Sequence, residues 1–162
     1  MMDISEKIRR ILDDYLDEIE LECEYDEQHS CYISPVVEFS DQIAAKAVQV
    51  VAAIYPDSFE LNVYSAGYIP DPENLTETMT FMGLINNIIY PGTSIKYIPG
   101  GPLRVCRYVD CINTVGKAPS LEKIRMNMQI VLAMYEKFMD WVLAVDMGVV
   151  SAVDAFHAVL EQ

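Results

Sequence analysis

The sequence predicts an α+β fold in which helices cover one face of a five-stranded antiparallel sheet. Two segments with two-residue alternation, "SFELNVY" and "LRVCRYVDCI", each follow a turn signal. Apolar residues at helical spacing recur in three longer stretches. The elements come in the order helix, three strands, helix, two strands, long helix, short helix. No repeat, low-complexity tract or boundary interrupts the 162 residues, which suit one domain, 1–162, with a single core.

Residues 3–20 form the first helix, with Ile4, Ile8, Ile11, Leu12, Tyr15, Leu16 and Ile19 at three- and four-residue steps. "SCYISPVVEFS" is rich in aromatic and β-branched residues, and Pro35 lacks a ladder donor, so this strand sits at an edge or carries a bulge. "IAAKAVQVVAAIYP", residues 43–56, fits two readings. Its alanines, and Ser40 or Asp41 as a cap, suit a helix; Val48, Val50, Val51 and Ile54 suit a strand. The neighbouring strand "SFELNVY" needs a partner, and pairing across the Pro56-Asp57-Ser58 turn closes a short loop at small entropic cost.

"DPENLTETMTFMGLINNIIYPG" returns to helical spacing through Leu75, Met79, Met82, Ile85 and Ile89 and stops at Pro91-Gly92. Gly83 inside this helix costs about 1 kcal/mol relative to alanine, which predicts a close contact there. A hairpin follows, "TSIKYI" leading through Pro99-Gly100-Gly101-Pro102 into "LRVCRYVDCI". Leu103, Val105, Val109 and Cys111 share one face with Arg107; Arg104, Cys106, Tyr108 and Asp110 take the other. Ser120 caps a long helix whose seam is Ile124, Met128, Val131, Tyr135, Phe138, Val142 and Val145. Gly148 ends it, and Ser151 with Asp154 starts a short last helix.

A net charge of −14 and a pI near 4.3 argue against nucleic acid and anionic membrane surfaces as partners. The acid is concentrated between Asp13 and Glu27. That run reads first as a solubilising face, then as a docking surface for a basic partner; it lacks the glycine and ligand spacing of a calcium loop. No apolar run is long enough to span a bilayer, and "MMDISEKIRR" has no apolar signal region, so a cytoplasmic protein with reduced thiols is expected.

Chemistry is sparse. His29 and His157 are read as surface or partly buried side chains, with nothing local to make either a catalytic base. Cys23, His29 and Cys31 match no zinc spacing, and Cys106 and Cys111 face opposite sides of a strand, so no metal, cofactor or disulfide is expected. Asn86-Asn87 are either a polar clamp for a ligand or hydrogen-bonding groups between helix end and next loop, the second being favoured. Arg107 pairs with a carboxylate, reaches solvent, or serves binding. Met126, Met128, Met134 and Met139, with Tyr135, Phe138 and Trp141, make the long helix apolar on more than one side, as core packing plus a dimer seam or as an adaptable binding surface.

The stretch "LINNIIYPGTSIKYIPGGPLRVCRYVDC" resembles the YbjN family, as do the hairpin ending "SAGYIPDPEN" and the helix after "KAPSLEK", over roughly residues 30–145. The resemblance implies a type III secretion chaperone-like fold and a strand at 43–56. Members of that family are described as bacterial sensory-transduction regulators. The related secretion chaperones are small acidic dimers that hold partly unfolded clients. The acidic N-terminal connection and the C-terminal helix depart from the pattern, and no catalytic residue is carried over.

The sequence therefore predicts a non-catalytic cytoplasmic protein-interaction module, a homodimeric regulator or adaptor. The alternative is an acidic dimeric chaperone for partly unfolded clients. The candidate interaction residues are Met128, Tyr135, Phe138, Trp141 and Arg107.

Overall fold

A computed structural model describes residues 2–111 and 119–162. The chain runs α1 Ile4–Glu18, β1 Glu24–Asp26, β2 Cys31–Ile33, β3 Val37–Glu38, β4 Ala47–Ile54, β5 Ser58–Ser65, a 3-10 turn Pro72–Asn74, α2 Leu75–Asn86, β6 Thr93–Tyr97, β7 Leu103–Asp110, α3 Leu121–Asp146 and α4 Ala152–Leu160. The expected strand end at Ile112 and the start of "KAPSLEK" lie outside the described residues. Every pairing is antiparallel, in the order β1-β2-β4-β5-β7-β6, with β3 also beside β4.

Among the described residues the sheet has seven strands where five were expected. One addition is β1, which lies inside the acidic run. The other arises because "SCYISPVVEFS" is two strands. Ile33 pairs with Val51 and Val37 with Val48, so Ser34, Pro35 and Val36 oppose only Val50 and Gln49. That extra residue is the bulge Pro35 demands. Ser34 repairs the ladder, its backbone N–H donating to Val50 O at 2.9 Å and its hydroxyl accepting from Val50 N at 2.8 Å.

Segment 43–56 is a loop followed by a strand. β4 alternates cleanly, with Val48, Val50, Ala52 and Ile54 buried and their neighbours half-exposed. It pairs with β5 through Pro56-Asp57, Tyr55 N–H donating to Ser58 O at 2.9 Å. A helix is denied to residues 43–46 by α3. Asp140 accepts from the amides of Ala44 and Ala45 at 3.0 and 3.2 Å, Tyr135 donates to Ala45 O at 2.8 Å, and Ser40 donates to Glu136 at 2.7 Å.

The helices lie on one side of the sheet, α1 against β4 and β5, α3 against β5 and β7, α2 against β6. Phe59, Leu61 and Val63 of β5 and Leu103 and Val105 of β7 are fully buried with Ile124, Val131 and Tyr135 of α3. Burial of such side chains stabilises by about 1.5–3 kcal/mol each. α1 begins at Asp3, whose carboxylate accepts from Glu6 N–H while Glu6 returns a bond to Asp3 N–H, a complete capping box.

Met82, Ile85 and Ile89 are covered as the spacing predicts, but Thr78 and Phe81 take the place of Met79 on the covered side of α2. Thr78, Phe81, Met82 and Ile85 are buried and Met79 is exposed. The cause is Asp146 at the end of α3, a buried carboxylate that accepts from Thr78 Oγ1 at 2.9 Å, Asp71 N at 3.0 Å and the Tyr68 hydroxyl. Burial, then the Asp146 contact, pushes the Tyr68 phenol well above its ordinary pKa. Gly83 does not meet a close neighbour; a Cβ there would face open space.

α2 ends at Asn86, ahead of the expected stop at Pro91-Gly92, and the Asn86 side chain reaches the sheet. Its amide oxygen accepts from Ile95 N at 2.7 Å and its amide nitrogen donates to Ile95 O at 3.0 Å. Both backbone groups belong to β6 at the sheet edge, so Asn86 occupies a stretch that another strand would otherwise pair with. Replacing Asn86 with alanine leaves two backbone groups without partners and lowers stability by about 1–3 kcal/mol. Urea unfolding checks that loss, and light scattering of the variant at rising concentration checks the expected edge-to-edge association.

Candidate functional site

Among the described residues the other side of the sheet carries no helix, and the register arranges its side chains in cross-strand rows. One row is Ile33, Val51, Asn62, Cys106 and Ser94; the next is Gln49, Tyr64, Arg104 and Lys96. Asn62 and Cys106 are buried even here. Taller neighbours share the polar bonds: Arg104 Nη1 donates to Asn62 Oδ1 at 3.1 Å and to the Tyr64 hydroxyl at 2.8 Å. Glu60 lies 4.0 Å from Arg104 and 3.9 Å from Lys96, one carboxylate between two cations. Arg104 Nε is buried and, among the described residues, has no acceptor.

Three depressions border this face. The first is lined by Glu22, Cys23, Glu24, Ile33, Pro35 and Gln49, at about 520 Å³. The second, about 300 Å³, lies among Val36, Gln49, Tyr64, Gly67, Ile69 and Pro102. The third, about 330 Å³, runs around the β6 edge between Met79, Met82 and Gly83 of α2 and Lys96, Ile98 and Arg104. Gly83, predicted to receive a neighbour, instead helps keep this third depression open.

The candidate residues on α3 are not on this face. Met128, Tyr135 and Phe138 are at most 2% exposed and belong to the monomer's own core. Trp141 is half-buried against that core, and Met126 is exposed. The stripe that the spacing marks as the seam of α3 is the one the sheet takes, and Met128, Tyr135 and Phe138 lie on it. Among the described residues Arg107 pairs with no carboxylate. Its Nε donates to Asn127 Oδ1, and its Nη1 donates to Pro91 O at 2.7 Å and Thr93 Oγ1 at 3.0 Å, with Tyr90 beneath. Burial among these neutral acceptors holds its pKa below the usual arginine value. Gly92 at φ 82° makes the turn, and a Cβ there would crowd Arg107 Nη1 at 3.3 Å.

The remaining titratable groups do not converge. His29 and His157 are exposed and belong to different elements, His29 bonding Asp26 through Nδ1 at 2.6 Å. That bond, then the backbone amides of His29 and Gln28, holds the Asp26 carboxyl below its ordinary value. Burial raises the thiols of Cys23, Cys31 and Cys111, which keeps them protonated and weakly nucleophilic. Among the described residues no cysteine is in a disulfide and no three His, Cys, Asp or Glu side chains gather as a metal site. No described helix is long and apolar enough to cross a membrane.

Searches of family models and of curated protein sequences find no match to the chain. Solved structures do match. A chain of the ExsC-ExsE complex superposes with a TM-score of 0.56 at 12% identity, over 86% of this chain and 98% of that one. YbjN from E. coli, named as a candidate transcription regulator, superposes with a TM-score of 0.53 at 12% identity, over 80% and 89%. The fold is the YbjN and type III secretion chaperone-like one. At this identity the likeness concerns fold alone.

The sheet-facing seam of α3 is tested by stability. Phe138→Ala costs about 3–5 kcal/mol in denaturant unfolding, as a buried aromatic does. Thiol labelling of the native protein at neutral pH modifies half-buried Cys23 first, while Cys31, Cys106 and Cys111 react only on unfolding; equal rates for all four would contradict the burial described.

Proposed function

We propose that the chain is a non-catalytic protein-interaction module, a cytoplasmic regulator or adaptor, whose working surface is the uncovered sheet face. The observation that carries this reading is the one-sided packing of the sheet. Ile33, Val51, Ala53 and Tyr64 are half-exposed there, Tyr108 is 51% exposed, and the buried Asn62 between them is bonded to Arg104. Such a surface presents apolar area on a rigid support, which suits a polypeptide partner. The net charge of −14 favours protein contact over DNA contact for any regulatory action.

The alternative, an acidic dimeric chaperone for partly unfolded clients, draws support from the fold shared with a chain of the ExsC-ExsE complex, itself an assembly of two proteins. The two readings differ in what is held: a folded protein by the adaptor, an unfolded segment by the chaperone.

The test pairs affinity capture from the native cell with surface variants. Val51→Glu and Tyr108→Ala reduce recovery of the wild-type partner at least tenfold with unfolding midpoints little changed. Full recovery by both variants would remove the sheet face from the mechanism. Whether the recovered partner still binds after refolding, or only while denatured, separates adaptor from chaperone, and sedimentation tests the homodimer.

A further inference from the structure

We infer that the three depressions form one track for an extended polypeptide segment with a fixed order of chemistry. A basic side chain lies against Glu22 and Glu24, an apolar one sits between Val36 and Ile69, and a carboxylate meets Lys96 and Arg104. This rests on the sheet-face reading above and names the class of partner.

The continuity comes from shared residues. Gln49 lines both the first and the second depression, Tyr64 lines the second, and the Tyr64 hydroxyl accepts from Arg104, which lines the third. Gln49, Tyr64, Arg104 and Lys96 are successive neighbours across four strands, so the track runs across the strands and not along them. From β2 to β6 there are four inter-strand steps. At about 4.8 Å each they span roughly 19 Å, the reach of about six extended residues.

The two ends differ in charge. Glu22 and Glu24 are exposed and, among the described residues, make no ion pair. At the other end Lys96 and Arg104 share the single carboxylate Glu60, both at the outer limit of an ion pair, leaving a net positive spot on a strongly acidic protein. The ends are about two Debye lengths apart at physiological salt, so each acts locally. Arg104 Nε supplies a further reason: among the described residues it is a buried donor without an acceptor. A turn of the side chain lets an arriving carboxylate take Nε and an Nη together, the two-pronged geometry arginine favours. Strand addition is not the mode at mid-β6, because Asn86 already holds both backbone groups of Ile95.

The middle of the track is apolar. Val36 and Ile69 are 59% and 60% exposed, with Pro102 and the tyrosine ring between, a seat for one aliphatic side chain.

The probe is a labelled synthetic seven-residue peptide with lysine at one end, two central leucines and glutamate at the other, titrated by fluorescence anisotropy against the full chain. A control peptide of the same composition carries both charges in the centre. The first peptide binds, more weakly as salt rises, and the control binds at least fivefold less. Lys96→Glu weakens binding about tenfold, and replacing the peptide's glutamate with lysine restores it to that variant; a misfolded protein would show no such rescue. Equal affinity for both peptides, no binding at millimolar concentration, or indifference to Lys96→Glu overturns the track. If those results occur while Val51→Glu still abolishes partner capture, the track fails and the sheet-face reading stands; if Val51→Glu also leaves capture intact, both fail.

Discussion

The structure depends on one seam: the stripe of α3 from Ile124 to Val145 packed on the odd-numbered residues of β5 and β7. That contact buries Phe59, Leu61, Val63, Leu103 and Val105 completely on one side of the sheet. Apolar burial is the largest favourable term in folding, so the face that receives the long helix fixes where the others go. α1 and α2 follow onto the same side. The opposite face is left to satisfy its own polar groups, and it does so sideways, with Arg104 and Tyr64 bonding over the buried Asn62. A surface solved in this way is rigid and half-apolar.

An open sheet also has edges, and each is managed by a different device. At β6 the side chain of Asn86 stands in for a neighbouring strand. On the other side the Pro35 bulge breaks the ladder beside β4 and splits one strand into β2 and β3. The last strand, β1, is three residues long and charged. Short, charged or bulged edges resist pairing with other chains, which leaves the face as the place where a partner gains most.

Carboxylates on α3 organise the loops. Asp140 and Glu136 hold residues 40–45, and Asp146 holds Tyr68, Asp71 and Thr78. In each case a helix side chain satisfies groups more than sixty residues away, so the loops owe their shape to a partner far along the chain. Buried donors and acceptors without such partners cost 1–3 kcal/mol or so each, which is why these ties are specific.

The sequence alone determined the α+β class, the alternation of β5 and β7, the seam of α3, the caps at Ser120 and Ser151, and the break at Pro35, because each rests on neighbours within a few residues. Tertiary structure decided what those signals leave open. Residues 43–46 are loop where Asp140 takes the amides of Ala44 and Ala45, Thr78 of α2 is buried because Asp146 accepts its hydroxyl, and β1 pairs although two of its three residues are charged. It also decided the candidate site. Met128, Tyr135 and Phe138 have the composition of either a core or a binding surface, and the sheet beneath them makes them core. Arg104 and Tyr64 carry no local signal of their role, since a row across a sheet joins residues that the sequence sets forty apart. Periodicity reports how one element is patterned; which of its faces is covered is a property of the other elements that pack on it.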